Sequence, residues 1–117
     1  MVKIYFNESC SKCHTAYCDL KDRAVDFETV EYLKQVPDEN SLRTLLKKLQ
    51  LPAIEMIRKS EPIFIEQYSN HNLTEEACIQ AIIQHPILMQ RPIVEFDNRA
   101  YIVRPPVTVE EILKKQI

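Results

Sequence analysis

Glycine is absent from all 117 residues. That excludes a dinucleotide-binding fingerprint and a phosphate-cradling P-loop, because both need backbone that only glycine lets approach the ligand closely. Tight turns are therefore expected to use Asn, Asp and the seven prolines. A one-sided charge is also missing. Fifteen basic and 17 acidic side chains leave a net charge of −2, so nucleic acid and anionic lipid have no general electrostatic attraction here. No apolar run is long enough to span a bilayer. The start, Met1 to Asn7, has one lysine and no extended apolar segment, unlike a secretory signal. The expected location is the cytoplasm, with neither membrane nor nucleic acid as a direct partner.

What is present fits a globular domain. The chain is 45% apolar and 27% charged, which argues against disorder. Its length suits one domain, residues 1–117, with a core that needs no disulfide staples. Four cysteines occur, and Cys10, Cys13 and Cys18 lie close together. In a reducing cytosol such a cluster suggests thiols, redox centres or metal ligands rather than a structural framework.

The pattern of elements is mixed α/β. Val2 to Phe6 reads as a strand and Asn7-Glu8-Ser9 as a turn. A helix is expected from Cys10 or Ser11, with Cys13, Ala16, Tyr17, Leu20 and Ala24 along one face. Asp26 to Tyr32 reads as a second strand. Pro37-Asp38-Glu39 opens a helix with Leu42, Leu45, Leu46 and Leu49 as its stripe. Pro52 starts a short helical piece, and Thr74-Glu75-Glu76 caps a helix that His85-Pro86 ends. Ile93 to Phe96 and Ala100 to Val103 read as two strands joined through Asp97-Asn98-Arg99. Thr108 and Glu111 suggest a capping box for a last helix. The order is β-α-β, helices over about residues 37–84, then β-β-α. The first two strands should be parallel.

Cys10 falls between a strand end and a helix start, where unpaired N–H groups favour a thiolate. Lys12 adds positive charge nearby. Cys13 completes Cys10-Ser11-Lys12-Cys13, and an i,i+3 pair on one helix face can close a disulfide. Cys13 equally fits a small buried hydrophobe beside Tyr17 and Leu20. Cys78 reads as core, and Cys18 has no assigned chemistry. Cys10 to His14 also matches the string for haem attachment, but without the export that attachment follows. Zinc on Cys10, Cys13, His14 and Cys18 would have to recruit His71 or Cys78 without recognisable spacing; no bound metal is expected. A phosphatase-like C-x5-R loop is excluded because Ala16 stands where its arginine should be.

Arg58, Arg91 and Arg104 each lie at an element end, and the last two precede prolines. A residue before proline is biased toward extended backbone, which helps fix where its side chain projects. Guanidinium groups are charged forks that match oxyanions. With a helix N-terminus they would form an anion pocket beside a thiolate. Taken singly, each arginine also fits a solvated surface residue.

At this point the chain resembles the glutaredoxin-coupled arsenate reductase family over nearly its whole length. The resemblance rests on Ile4-Tyr5-Phe6-Asn7-Glu8-Ser9-Cys10-Ser11-Lys12, Tyr32-Leu33-Lys34, Ile57-Arg58-Lys59-Ser60-Glu61, His85-Pro86-Ile87-Leu88-Met89-Gln90-Arg91-Pro92-Ile93 and Arg104-Pro105-Pro106. It implies a thioredoxin-like fold with a helical insertion. It also implies Cys10 as the nucleophile, Arg58, Arg91 and Arg104 around an oxyanion, and a cis bond before Pro92, with Pro92 facing the cysteine. Glutathione is the implied co-substrate, with no bound cofactor, and glutaredoxin is the implied partner. Relative to that family, Phe6 replaces a common His, Glu8 a common Pro, Cys13 a common Ser and His14 a common Arg. Losing an imidazole and gaining a carboxylate both disfavour the Cys10 thiolate, and His14 is expected to compensate in part. Cys13 is a candidate resolving thiol. Two other readings stand beside this one: an Spx-type redox regulator that binds RNA polymerase, which also has a C-x-x-C here, and a general thiol–disulfide oxidoreductase.

Overall fold

The structure is a computed structural model, and it describes residues 2–69, 72–104 and 106–116. Strand β1 (Val2–Tyr5) leads into helix α1 (Ser11–Asp22) and strand β2 (Phe27–Val30). Helices α2 (Glu39–Leu49), α3 (Pro62–Gln67) and α4 (Glu75–Gln84) follow, with 3-10 turns at Ala53–Met56 and Pro86–Leu88. Strands β3 (Ile93–Glu95) and β4 (Ala100–Ile102) then precede helix α5 (Val109–Lys114). The sheet order is β2-β1-β3-β4. β1 is parallel to β2 and antiparallel to β3, and β3 is antiparallel to β4. This is the mixed sheet expected from the sequence, with the helical insertion between its two halves.

Side chains alternate across a strand, and here each face meets a different helical layer. Ile4 and its partner Val94 point toward α1 and α5, where Ala16, Leu20, Val109 and Ile112 bury them. Tyr5 and its partner Ile93 point the other way, into the larger core formed with Leu42, Leu45, Met56, Ile79 and Ile82 of the insertion. The insertion therefore covers a sheet face that would otherwise expose apolar side chains. Helices α2 and α4 are capped as read. Asp38 accepts from the Ser41 N–H at 2.8 Å, and Thr74 accepts from the Ala77 N–H at 3.1 Å.

Several expectations need correction. Helix α1 ends at Asp22, so Ala24 leaves the apolar stripe; it is exposed and has φ 56°. Ala24 and Gln50, at φ 57°, occupy the left-handed positions that glycine usually fills after helices, so Asn and Asp do not serve there. β2 stops at Val30. Tyr32 lies beyond it, fully buried in the insertion-side core, because Glu31 turns the chain by accepting from the Lys34 and Gln35 N–H groups. The piece after Pro52 is a 3-10 turn. Helix α3 has no clear signal in sequence, since only Phe64 is buried while Ile65 is 57% exposed. Thr108 caps α5 by accepting from the Glu111 N–H, but the Glu111 carboxylate pairs with Lys115 at 3.7 Å instead of closing the box. Among the described residues, no helix is long and apolar enough to cross a membrane.

Candidate active site

Cys10 is the N-cap of α1, in extended backbone (φ −98°, ψ 117°). Asn7, itself buried, shapes the turn that delivers it: its carbonyl accepts from the Cys10 N–H at 3.0 Å and its side-chain oxygen from the Ser9 N–H at 3.0 Å. Burial pushes the half-buried Cys10 thiol up. Hydrogen bonds from the Cys13 N–H, the Cys13 thiol, the Lys12 N–H and the Arg91 guanidinium outweigh that effect and hold it below the ordinary cysteine range. Lys12 thus acts on the sulfur through its backbone. Its side chain lines a cleft with Thr15, Val103 and Val109.

Cys13 behaves in the opposite way. It is fully buried, and burial pushes its thiol up to about 12; the charge of Cys10 pushes in the same direction. It keeps its proton, donates to Cys10 and accepts from the Asn7 N–H at 3.5 Å.

The three arginines come from distant stretches and meet through one another. Arg91 is 8% exposed, and its Nη1 donates to the Ile87 carbonyl at 3.2 Å. Arg104 Nη1 donates to the Arg91 carbonyl at 2.9 Å. Arg58 Nη1 donates to Glu61 Oε1 at 3.2 Å, and the same oxygen lies 4.0 Å from Arg91 Nη1. Arg58 and Arg91 thus share one carboxylate while Arg104 is tied to the Arg91 backbone, so three cations are linked around a single fixed negative charge, which suits binding of an anion. The Arg91–Pro92 bond is cis, as the resemblance implied, and the Pro92 carbonyl accepts from the Val103 N–H at 2.9 Å.

Two residues of this cluster had no role in the sequence reading. Glu61 ties Arg58 to Arg91. Tyr32 sets its hydroxyl where the charges of Arg91 and Arg58 both reach it, close to Cys13. Burial is the larger effect and pushes that phenol up to about 12, against the pull of Arg91. Among the described residues, neither the Tyr32 hydroxyl nor Arg91 Nε completes a hydrogen bond. The available signal was proximity to the resembling segments that contain them.

Other expected contributors act elsewhere. The His14 ring donates from Nε2 to the Glu8 carbonyl and meets Phe6 edge-on at 5.2 Å between ring centres, so it braces the turn. The Glu8 carboxylate is exposed and pairs with Lys34 at 3.7 Å. Cys78 is buried in the insertion-side core and Cys18 is exposed. Among the described residues no three His, Cys, Asp or Glu side chains are grouped to hold a metal, and His71 lies outside those residues. So does Pro105 of the Arg104-Pro105-Pro106 segment.

The sequence pattern of the ArsC family matches residues 5–112. An uncharacterized protein of Escherichia coli, YfgD, is 43% identical, with 96% of each chain covered. An arsenate reductase of Neisseria meningitidis is 35% identical over 96% of this chain and 97% of its own. Among solved structures, an arsenate reductase from Vibrio cholerae superposes with a TM-score of 0.87 at 30% identity, covering 97% of this chain and 95% of that one. A helix-start cysteine held below its ordinary range, with linked guanidinium groups, on this sheet and in this order, therefore has one reading as to kinship: the chain belongs to the ArsC family.

Proposed function

We propose that this protein is an arsenate reductase, with the Cys10 thiolate as nucleophile and Arg58, Arg91 and Arg104 as the oxyanion site. The observation that carries the reading is Arg91, which reaches the Cys10 sulfur while its carbonyl holds Arg104 and Glu61 links it to Arg58. Arsenate is a tetrahedral anion that repels a thiolate. Guanidinium groups offset that repulsion and stabilise charge gathering on the oxygens as sulfur attacks arsenic. Cys10 displaces one oxygen as water and forms a thiol–arsenate adduct. A second thiol then attacks the Cys10 sulfur, the S–As electron pair passes to arsenic, and arsenite leaves. Glutathione supplies the reducing equivalents of the cycle and glutaredoxin restores Cys10; this coupling rests on the resemblance of the segments around Cys10, Arg91 and Arg104. Pro92 faces Cys10 on the same ground. Dependence on reduced thiols suits the cytoplasm.

The test is arsenite production from arsenate with glutathione and glutaredoxin, beside thioredoxin as the rival donor. Turnover by the wild type and none by Cys10→Ser is the expected result. Equal rates for both proteins would remove the reading. The regulator reading predicts retention of the RNA polymerase α subunit on the immobilised chain, but linked arginines around a thiolate favour anion chemistry.

A further inference from the structure

We propose that Cys13 is an internal resolving thiol, which attacks the Cys10 sulfur once that sulfur carries a leaving group and closes a Cys10–Cys13 disulfide. The inference rests on the proposed arsenate reaction only for the identity of that leaving group.

Geometry carries it. Cys10 is the N-cap of α1 and Cys13 lies one turn on. Helical positions three apart have Cα atoms about 5 Å from each other, inside the range of roughly 4.4–6.8 Å that a disulfide spans. Each thiol lies within electrostatic reach of the other. Cys13 differs here from Cys78, an equally buried thiol packed within the insertion-side core. Both polar functions of the Cys13 thiol are used: it accepts from the Asn7 N–H and donates to Cys10. With no exposed surface it is closed to external thiols, so its natural partner is the sulfur beside it.

Attack at Cys10 also removes part of what holds the Cys13 proton. Burial is the larger effect and remains; the hydrogen bond and charge of Cys10 are smaller and are lost once that sulfur is covalently bound, while the Asn7 N–H and the Arg91 guanidinium still favour a Cys13 thiolate.

For arsenate the balance is simple. Cys10 forms the S–As bond with loss of water. The Cys13 thiolate then forms the S–S bond, the S–As bond breaks, and its electron pair reduces arsenic to arsenite. Two thiols are oxidised, arsenic gains two electrons, and the Cys13 proton goes to the departing arsenite. External thiol, glutathione or a dithiol protein, is needed only afterwards to reopen the disulfide. A stabilised Cys10 thiolate makes it a good leaving group for that step.

The experiment has two arms on the full chain, reduced and freed of small thiols under anaerobic conditions. In the first, oxidised glutathione is added. Cys10 attack releases one glutathione and leaves a mixed disulfide, and Cys13 attack then releases a second. Mass spectrometry should find the wild type short of two hydrogens with a Cys10–Cys13 bond, and Cys13→Ser carrying a lasting glutathione adduct. A lasting adduct on Cys10 of the wild type, located by peptide mapping apart from any on exposed Cys18, would overturn the inference. In the second arm, arsenate alone should yield about one arsenite per wild-type chain, and at least about tenfold less from Cys13→Ser. Equal small yields from both, with normal turnover once glutathione is added, would also overturn it. A disulfide in the first arm but no arsenite under any condition would instead remove the arsenate reading and leave Cys13 as resolver. Matching circular dichroism and melting curves show whether Cys13→Ser is folded, and Ser can still accept the Asn7 N–H.

Discussion

Arg91→Lys keeps the charge of the oxyanion site and removes its fork. Arg91 contacts the Ile87 carbonyl, Glu61 and the Cys10 sulfur at once. A planar guanidinium does this with donors aimed in different directions, whereas a compact ammonium on a flexible four-carbon stem cannot serve all three. The contact nearest the chemistry is the one to Cys10. A hydrogen bond involving a charged group contributes about 1.5–3 kcal/mol. At about 1.4 kcal/mol per tenfold in rate, losing it lowers kcat/KM for arsenate about ten- to a hundredfold. The same change must move Cys10 itself. The thiolate loses a donor, so the pH midpoint of Cys10 alkylation rises relative to wild type. Sulfur alkylation followed by mass spectrometry measures this without any substrate. Wild-type kcat/KM within twofold, together with an unmoved alkylation midpoint, would refute the argument that Arg91 acts through its fork.

The remaining predictions concern stability. Glu95 is buried, with the Tyr5 hydroxyl at 2.7 Å on one oxygen and the Lys48 ammonium at 2.8 Å on the other; Lys48→Met should lower denaturant stability by about 2 kcal/mol by stranding that carboxylate, and a loss below about 0.5 kcal/mol would mean water replaces the ammonium. Ala24 is exposed at φ 56°, so Ala24→Gly should raise stability by about 0.5–1 kcal/mol after the extra unfolded-state entropy is counted; a fall in the melting temperature would contradict it. Cys13 and Tyr32 are both pushed up to about 12 by burial, so in alkali they stay protonated when folded and ionise when unfolded. Their stabilisation is complete below the unfolded values of about 8.5 and 10 and is lost as pH rises toward 12. Melting temperatures should therefore fall between about pH 9 and 11, and less steeply for Cys13→Ser. A flat profile would show that these groups ionise alike in both states.

Local regularities made most of the elements readable. Asp38 and Thr74 cap helices where their spacing said they would, and Leu42, Leu45, Leu46 and Leu49 are all buried. Cys10 as a helix-start cysteine was readable for the same reason: neighbours in sequence decide caps and stripes. α3 was not readable, because six residues with one buried side chain produce no periodicity. Tyr32 was read as strand because aromatic character suits a strand and a buried turn equally.

The sequence by itself determined that the chain is a glycine-free α/β protein with a C-x-x-C at a helix start and arginines at three element ends. Only tertiary structure decided that those arginines converge, that Glu61 and Tyr32 join them, and that one thiol of the pair is held below the ordinary cysteine range while the other is pushed above it. The physical reason is range. Caps and periodic stripes are set by residues within a turn of one another. Charge, desolvation and hydrogen bonding at Cys10 depend on Arg91, which folding of the sheet brings against a helix start 81 positions earlier.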